Sequence, residues 1–599
     1  MTTTPLDLLQ STFGFRQFRG CQEEVIDELL AGRDAMVLMP TGGGKSLCYQ
    51  IPALIRPGTG IVISPLIALM QDQVEALHQL GVKADYLNSS QSPDDQYRVE
   101  RELAEGELDI LYVAPERLTT PRFLNLLDRL ALSLFAIDEA HCVSQWGHDF
   151  RNDYLNLSIL HQRFAHVPRI ALTATADLRT REEIALRLDL HSARRFITSF
   201  DRPNIRYTLL PKESPKQQLL RFLRQGRTDQ AGIVYCQSRR KTEEIAAFLN
   251  ASGFKALAYH AGLDAMARRE NQRRFQLEEG LIMVATIAFG MGIDKPNVRF
   301  VAHLDLPRNP EAFYQESGRC GRDGQPAEAW MVYGVQDVVL HRQRIEESEA
   351  NETFKRIERE RLDALLGICE TTTCRRAPLL RYFGESLQGP CGNCDNCLNP
   401  PPTFDATEAA QMALSCAYRT GQSFGAQYLI DVLGGIANER ITRQGHQRMS
   451  TFGIGKAHSS RVWRSIFRQL ILRGHLAVDQ DQHGALKLTE SCRALLRGEV
   501  TLTLRADTPK TRDPRNGKSM GDSPLDQEGL FEALRQLRRD LAEAQGVPPY
   551  LIFQDVTLRE ITVHRPRTLE ALGRISGIGQ KKLERYGESV LELVMTEGA

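Results

Sequence analysis

The sequence predicts an α/β chain: two tandem, doubly wound parallel-sheet lobes followed by smaller, largely helical modules. Three observations carry that expectation. Residues 1–205 alternate short β-branched runs with helical stretches, and residues 210–340 repeat the alternation. Beyond 340 the pattern changes to charged helix ending in clustered cysteines, and then to further helical segments. At 599 residues the chain is also too long for one core, so about three to five domains are expected.

In the first lobe, Ala35–Met39, Ile61–Ser64, Ile110–Ala114, Leu134–Ile137 and Ile170–Thr173 read as buried parallel strands. In the second, Ile233–Cys236, Leu257–His260, Leu281–Ala285 and Phe300–His303 do the same. Ligands then belong at the carboxyl ends of these strands. The link Asp201-Arg202-Pro203-Asn204 would let the lobes hinge. After the cysteines, Pro400, Pro401 and Pro402 close the third segment. The next segment reads as three helices and a wing-like hairpin. Its third helix, Ser459–Arg473, is stopped by Gly474, and the hairpin runs from Leu476 through His483-Gly484 to Leu488. Residues 506–524, rich in Asp, Thr, Pro, Lys, Gly and Ser, predict a disordered linker before a small helical domain. The expected division is 1–205, 206–340, 341–402, 403–505, 506–524 and 525–599, with no internal repeat beyond the two lobes.

Composition is that of an ordinary globular protein, 42% hydrophobic and 25% charged. No apolar run reaches the roughly 18 residues of a membrane span, and the N-terminus lacks the basic start and apolar core of a secretory signal. A cytoplasmic protein is expected. Formal net charge is zero, so a global electrostatic argument for nucleic acid fails. Its distribution says more: residues 405–505 carry 13 Lys+Arg against 8 Asp+Glu, and residues 525–599 carry 10 against 12.

Three motifs carry the chemistry. Residues 39–46, M-P-T-G-G-G-K-S, follow a strand and precede a helix. Gly42, Gly43 and Gly44 lack Cβ atoms, so with Thr41 the backbone can bring N–H groups onto phosphates. Lys45 can reach the β- and γ-phosphates, and Ser46 can ligate Mg²⁺. Met39 stands where the strict pattern has Gly or Ala. Residues 137–141, I-D-E-A-H, end a strand in two carboxylates: Asp138 to hold Mg²⁺ and Glu139 to polarise water. Residues 315–322, Q-E-S-G-R-C-G-R, supply Gln315, Arg319 and Arg322 from the other lobe. Together they describe ATP hydrolysis that requires two lobes to close.

Just beyond the carboxylates, Val143–Tyr154 holds Trp146, His148, Phe150, Arg151 and Tyr154, rings and a guanidinium suited to stacking unpaired bases. Ser64, Thr173 and Thr175 suit phosphate contact and communication between lobes, with strand-end capping as the alternative. Cys374, Cys391, Cys394 and Cys397 follow a C-x16-C-x2-C-x2-C spacing that lets four thiolates converge on structural Zn²⁺. Cys369 competes as fourth ligand. Arg461, Arg464 and Arg468 share one helix face, for phosphates or solvent.

These motifs resemble those of superfamily 2 helicases. D-E-A-H-C followed by Q-W-G-H-D-F-R is similar to the RecQ DNA helicases, as are S-P-L-I-A-L-M-Q-D-Q-V, A-P-E-R, L-T-A-T-A, G-I-V-Y-C-Q-S-R, A-T-I-A-F-G-M-G-I-D-K-P and Q-E-S-G-R-C-G-R-D-G. The likeness is to the bacterial type and covers almost the whole chain. It implies RecA-like lobes, a zinc-binding domain, a winged helix at 403–505 and a terminal HRDC module. It makes F-G-F-R-Q-F-R-G-C-Q an adenine-reading segment, with Gln22 on the base edge, Arg19 assisting and Phe15 stacking where relatives often have Tyr. It gives the aromatic loop the coupling of strand binding to hydrolysis. In the terminal module, G-I-G-Q-K-K at 577–582 would offer N–H groups to a phosphate beside Lys581 and Lys582.

The resemblance further implies 3′-to-5′ translocation and unwinding of duplex and branched DNA in recombination, repair and the SOS response. The implied partners are DNA with 3′ tails or junctions, a single-stranded-DNA-binding protein and a topoisomerase, with a monomeric, nucleoid-associated state. Two other readings stay open at this point: an RNA-dependent ATPase, and a DNA-binding regulator with a vestigial ATPase.

Overall fold

A computed structural model describes residues 4–144, 151–287, 289, 295–479, 484–506 and 525–596. Trp146, His148, Phe150, the hairpin tip at His483 and the linker from 507 lie outside the described residues.

Lobe 1 is a seven-stranded, wholly parallel sheet built from β1 (Ala35–Leu38), β2 (Thr59–Ile63), β3 (Ala84–Leu87), β4 (Ile110–Val113), β5 (Leu132–Ile137), β6 (Arg169–Thr173) and β7 (Arg194–Ile197). Their order across the sheet is β3-β4-β2-β5-β6-β1-β7. Lobe 2 uses β8 (Ile205–Pro211), β9 (Gly232–Tyr235), β10 (Ala256–Tyr259), β11 (Ile282–Ala285), β12 (Phe300–His303) and β13 (Ala327–Tyr333) in the order β10-β11-β9-β12-β13-β8, again all parallel. Helices cover both faces, and the central strands are buried on both sides, which is why they read as unbroken apolar runs.

The expected strands are present within a residue or two at each end. Four more were missed. β7 is an edge strand with only Phe196 buried, and β8, at the edge of lobe 2, alternates buried and exposed residues, so neither reads as an apolar run. In β3 the middle residues Asp85 and Tyr86 are only half-buried. β13 carries an apolar run, A-W-M-V-Y, like those of the central strands.

The segment after lobe 2 folds as helices Glu352–Glu370 and Arg376–Tyr382 with the cysteine loop behind them. It is packed into the same apolar core that underlies the facing layers of both lobes. Phe383 stacks on Phe200 of the interlobe link at 4.9 Å between centroids. Arg361 meets three carboxylates: Asp177 of lobe 1 at 3.1 Å, Glu311 of lobe 2 at 3.5 Å, and Glu358 one turn before it at 3.2 Å. The hinge expected at 201–204 is therefore a fastened joint in this arrangement.

Residues 403–505 form the expected helices and wing. Helices Thr407–Arg419, Ala426–Gly434 and Ser460–Leu472 enclose a separate core around Trp463. Ser459 caps the third helix, and Gly474, at φ +77°, ends it in a conformation that a side chain would strain. β15 (Leu476–Asp479) and β16 (Ala485–Leu488) make the wing. β14 (Thr403–Asp405) and β17 (Thr503–Arg505) form a small antiparallel ladder joining the two ends of the module. Residues 525–596 are a helical domain with its own core, running from Leu525–Gln545 to Gln580–Thr596. Among the described residues, no helix is long and apolar enough to cross a membrane.

Candidate active site and nucleic-acid interface

The glycine loop leaves β1 and turns into the helix Leu47–Ile55. Gly42 and Gly44 both sit at φ +80°, where a side chain is strained. A Cβ at Gly44 would lie 2.4 Å from the Gln22 amide, and one at Gly43 would lie 2.6 Å from Met39 Cγ. The departure at Met39 is thus accommodated by the missing side chain at Gly43. Lys45 Nζ donates to Met39 O at 3.0 Å and Pro40 O at 3.4 Å, and the loop opens on a cavity of about 430 Å³. Phe15, Arg19, Gln22, Thr41, Ser46 and Gln315 all line it.

Gln22 is buried at the start of the helix Gln22–Leu30, not exposed on it. Its amide donates to Gly44 O at 3.1 Å, while its oxygen accepts from Arg19 N at 2.8 Å. The segment around Gln22 is in this way pinned directly to the glycine loop.

Asp138 and Glu139 leave β5 beside that loop. Burial first, and then the neighbouring Glu139, push the Asp138 carboxyl up to about 7 against the pull of Lys45. A divalent cation suits such a carboxylate, and Ser46 and Asp138 offer the oxygens that would hold Mg²⁺. Glu139 adopts left-handed backbone, φ 47°, a strain of order 1–3 kcal/mol that suits an active-site turn. His141 Nδ1 lies 3.3 Å from Glu139 and 2.9 Å from Thr173 Oγ1, tying the carboxylate turn to β6.

Lobe 2 meets this site directly. The Arg322 backbone packs on the glycine loop so closely that a Cβ at Gly42 would lie 3.3 Å from Arg322 Cα. Arg319 is buried beside Tyr235, and both arginines line the cavity. Gln315 Nε2 donates to Thr175 Oγ1 at 2.8 Å, and Thr173 supports the Thr175 backbone. Ser64 is buried at the end of β2, and its hydroxyl has no hydrogen-bond partner among the described residues.

Sequence reasoning missed Arg202. Its guanidinium donates to Thr41 O at 2.7 Å, Gly318 O at 3.2 Å, Cys320 O at 3.2 Å and Gly321 O at 2.9 Å, stitching the phosphate loop to the arginine loop. Only its place in the interlobe link hinted at this.

Of the aromatic segment, the described residues are its roots. Arg151 N donates to Cys142 O at 2.9 Å and Arg151 Nη1 to Pro65 O at 2.8 Å. The loop is thereby anchored within one turn of Glu139. Tyr154 is not a stacking surface: it is fully buried, and its hydroxyl donates to Asp138 O at 2.9 Å, bracing the catalytic turn from beneath.

Cys374, Cys391, Cys394 and Cys397 bring their sulfurs within 4.8 Å of one another. Cys391 and Cys397 are 3.8 Å apart, the edge of a tetrahedron with Zn–S of about 2.3 Å. Backbone N–H groups of Arg375 and Asn393 point at Cys394 and Cys391 at 3.4 Å, as thiolates require. Cys369 is excluded: it is fully buried in the helix Glu352–Glu370, outside the cluster.

Arg461 and Arg464 are exposed on the helix Ser460–Leu472, whereas Arg468 is half-buried and turned toward Ser465. Arg464 also donates to Gln427 at 3.1 Å. The G-I-G-Q-K-K turn does not face outward for a DNA phosphate. Gly577 N donates to Gly14 O of lobe 1 at 2.8 Å, and Lys581 pairs with Glu584 at 3.1 Å.

Two parallel-sheet lobes sharing one nucleotide cleft are the build of a helicase motor. Family models agree, matching a DEAD/DEAH box helicase domain over residues 19–184 and a helicase conserved C-terminal domain over 214–324. The later modules narrow the class, as RecQ zinc-binding (335–398), RQC (400–513) and HRDC (527–594) domains. The chain is 46% identical to the ATP-dependent DNA helicase RecQ of Pasteurella multocida, over 99% of this chain and 93% of that protein. To the Haemophilus influenzae protein of the same name it is 46% identical, over 100% and 96%, and to that of Bacillus subtilis 38%, over 98% and 97%. The chain belongs to the RecQ family of ATP-dependent DNA helicases. ATP with Mg²⁺ and structural Zn²⁺ are its cofactors, and DNA is its substrate.

Proposed function

We propose that this helicase moves 3′ to 5′ on single-stranded DNA, opening tailed duplexes and junctions by closing its lobes on ATP. The observation that carries the reading is the seat of the Arg322 backbone on Gly42, since a charge-stabilising arginine acts only when its lobe has closed on the phosphates. Bound Mg–ATP supplies the electrophilic phosphorus and the leaving diphosphate. Thr41, Gly42, Gly43, Gly44 and Lys45 position the phosphates, and Ser46 with Asp138 hold the metal. Glu139 orients the attacking water and takes its proton. Arg319 and Arg322 offset charge that develops on the γ-phosphate, and Gln315, on the helix Pro310–Ser317 that leads into their loop, links it to Thr175. Phe15 stacks on the adenine, and Arg19 and Gln22 bond its edge.

Trp146, His148, Phe150 and Arg151 sense the loaded strand. The short path from Arg151 through Cys142 to Glu139 supports that coupling. Exposed Arg461 and Arg464 suit duplex phosphates. The reading extends to recombination, repair and SOS roles in the cytoplasm at the nucleoid. Its partners there would be a single-stranded-DNA-binding protein and a topoisomerase, and the chain would act as a monomer.

The test is unwinding of 3′-tailed against 5′-tailed duplex with ATP and Mg²⁺, with Lys45→Ala as control. Opening of the 3′-tailed substrate alone, lost in the control, supports the reading. Preference for the 5′ tail, or turnover surviving Lys45→Ala, overturns it.

A further inference from the structure

Arg319 is a buried cation without an ion-pair partner. It lines the nucleotide cavity and is 6% exposed. Among the described residues it forms no ion pair, and its Nε has no hydrogen-bond partner. A guanidinium in that setting must be aimed by fixed neighbours, because little else restrains it.

Two residues of lobe 2 are placed to do so. His303 ends β12, and its Nε2 lies 2.8 Å from the Glu316 carboxylate, with both side chains buried. A carboxylate oxygen only accepts, so the imidazole donates. Glu316 sits in the last turn of the helix Pro310–Ser317, and its carbonyl accepts from Arg319 N at 3.3 Å. The turn that launches the arginine is thus held through the side chain and the backbone of one residue. Phe313 packs on the imidazole at 5.6 Å, so His303 is itself fixed by a ring as well as by Glu316.

Tyr235 ends β9 and is the register partner of His303 across the parallel ladder. The two rings stack at 5.3 Å between centroids, 22° from parallel, and the tyrosine hydroxyl donates to Phe289 O at 2.9 Å. Burial pushes this phenol up to about 12 against the charge of Arg319, while Glu316 raises it and a hydrogen bond from Arg319 lowers it. The hydroxyl therefore faces both the guanidinium and the carboxylate. Neither Tyr235 nor His303 lines the nucleotide cavity.

We propose that His303 and Tyr235 are positioning residues for Arg319: His303, through Glu316, fixes the turn that carries it, and Tyr235 aims its guanidinium at the γ-phosphate. The proposal rests on the reading of Arg319 as a charge-stabilising arginine. Acting only through that arginine, the pair affects the transition state, where charge develops, and not the affinity for ATP.

The experiment measures kcat and KM for ATP in the full-length chain with saturating single-stranded DNA, following phosphate release long enough to read slow variants. His303→Phe keeps a ring on Tyr235 and removes the donor to Glu316. It is expected to lower kcat roughly tenfold with KM unchanged, and His303→Gln, whose amide can donate, should recover most of the loss. Tyr235→Phe keeps the stack and should lower kcat about threefold; it carries the same test should His303→Phe fail to fold. With Arg319 already replaced by alanine, neither substitution should cost anything further, whereas a general packing role would lower turnover there too. Wild-type kcat in either variant, a loss that appears in KM, or losses that multiply with that of Arg319→Ala overturn the proposal. Full turnover in Arg319→Ala alone would instead remove the charge-stabilising reading of that arginine, so the two failures are distinguishable.

Discussion

Gln315 of lobe 2 donates from Nε2 to Thr175 Oγ1 of lobe 1 at 2.8 Å, and Thr175 is buried. This side-chain hydrogen bond crosses the cleft beside the two arginines. Thr175→Val keeps the shape and removes the acceptor. Loss of one buried hydrogen bond of about 1–1.5 kcal/mol corresponds to roughly a tenfold fall in DNA-stimulated turnover, with ATP affinity little changed. Steady-state ATPase assays with single-stranded DNA check this; wild-type turnover would mean that the bond does not help lobe closure.

Arg202 donates to four carbonyls across the same cleft. Arg202→Ala leaves those acceptors unsatisfied and is expected to cost about 2–4 kcal/mol of stability. Urea unfolding should show the midpoint fall. Arg202→Lys should recover little, because one ammonium cannot match a planar fork serving four carbonyls.

The zinc cluster makes a clean contrast between cysteines. Cys394→Ser removes a buried ligand and should lower both bound zinc and the melting temperature, as should chelation of the wild type. Cys369→Ser should leave bound zinc unchanged, since that thiol lies outside the cluster. Metal analysis of the purified variants decides it.

The terminal domain's own fold should weaken in acid, because Asp555 and Arg538 pair within it. Burial alone would raise the Asp555 carboxyl, but the Arg538 charge and hydrogen bond outweigh it and hold the group below the ordinary aspartate value. Its contribution is complete above that ordinary value and is lost as pH falls through the lowered native one. Exchange protection of the Gly577 amide should fall across this window in the wild type. The fall should be shallower in Asp555→Asn, which has no carboxyl to titrate there.

Much of this chain is legible in its sequence. Buried parallel strands announce themselves as short apolar runs, and the glycine loop, Asp138-Glu139 and the cysteine spacing are local patterns whose chemistry depends on neighbours in sequence. Tertiary structure alone decided matters that rest on neighbours distant in sequence. Tyr154 could be read as a base-stacking ring until its hydroxyl was found beneath Asp138. Cys369 could be read as a ligand until its helix carried it into the core. Arg202, a plain hinge residue in sequence, became the stitch between two loops because four carbonyls from separate segments converge on it. The G-I-G-Q-K-K turn, which suited a DNA phosphate, was instead seated on Gly14 more than five hundred residues earlier. Local chemistry is written in residue order, but a side chain's partner is set by how the lobes and modules pack, and no short window of sequence contains that information.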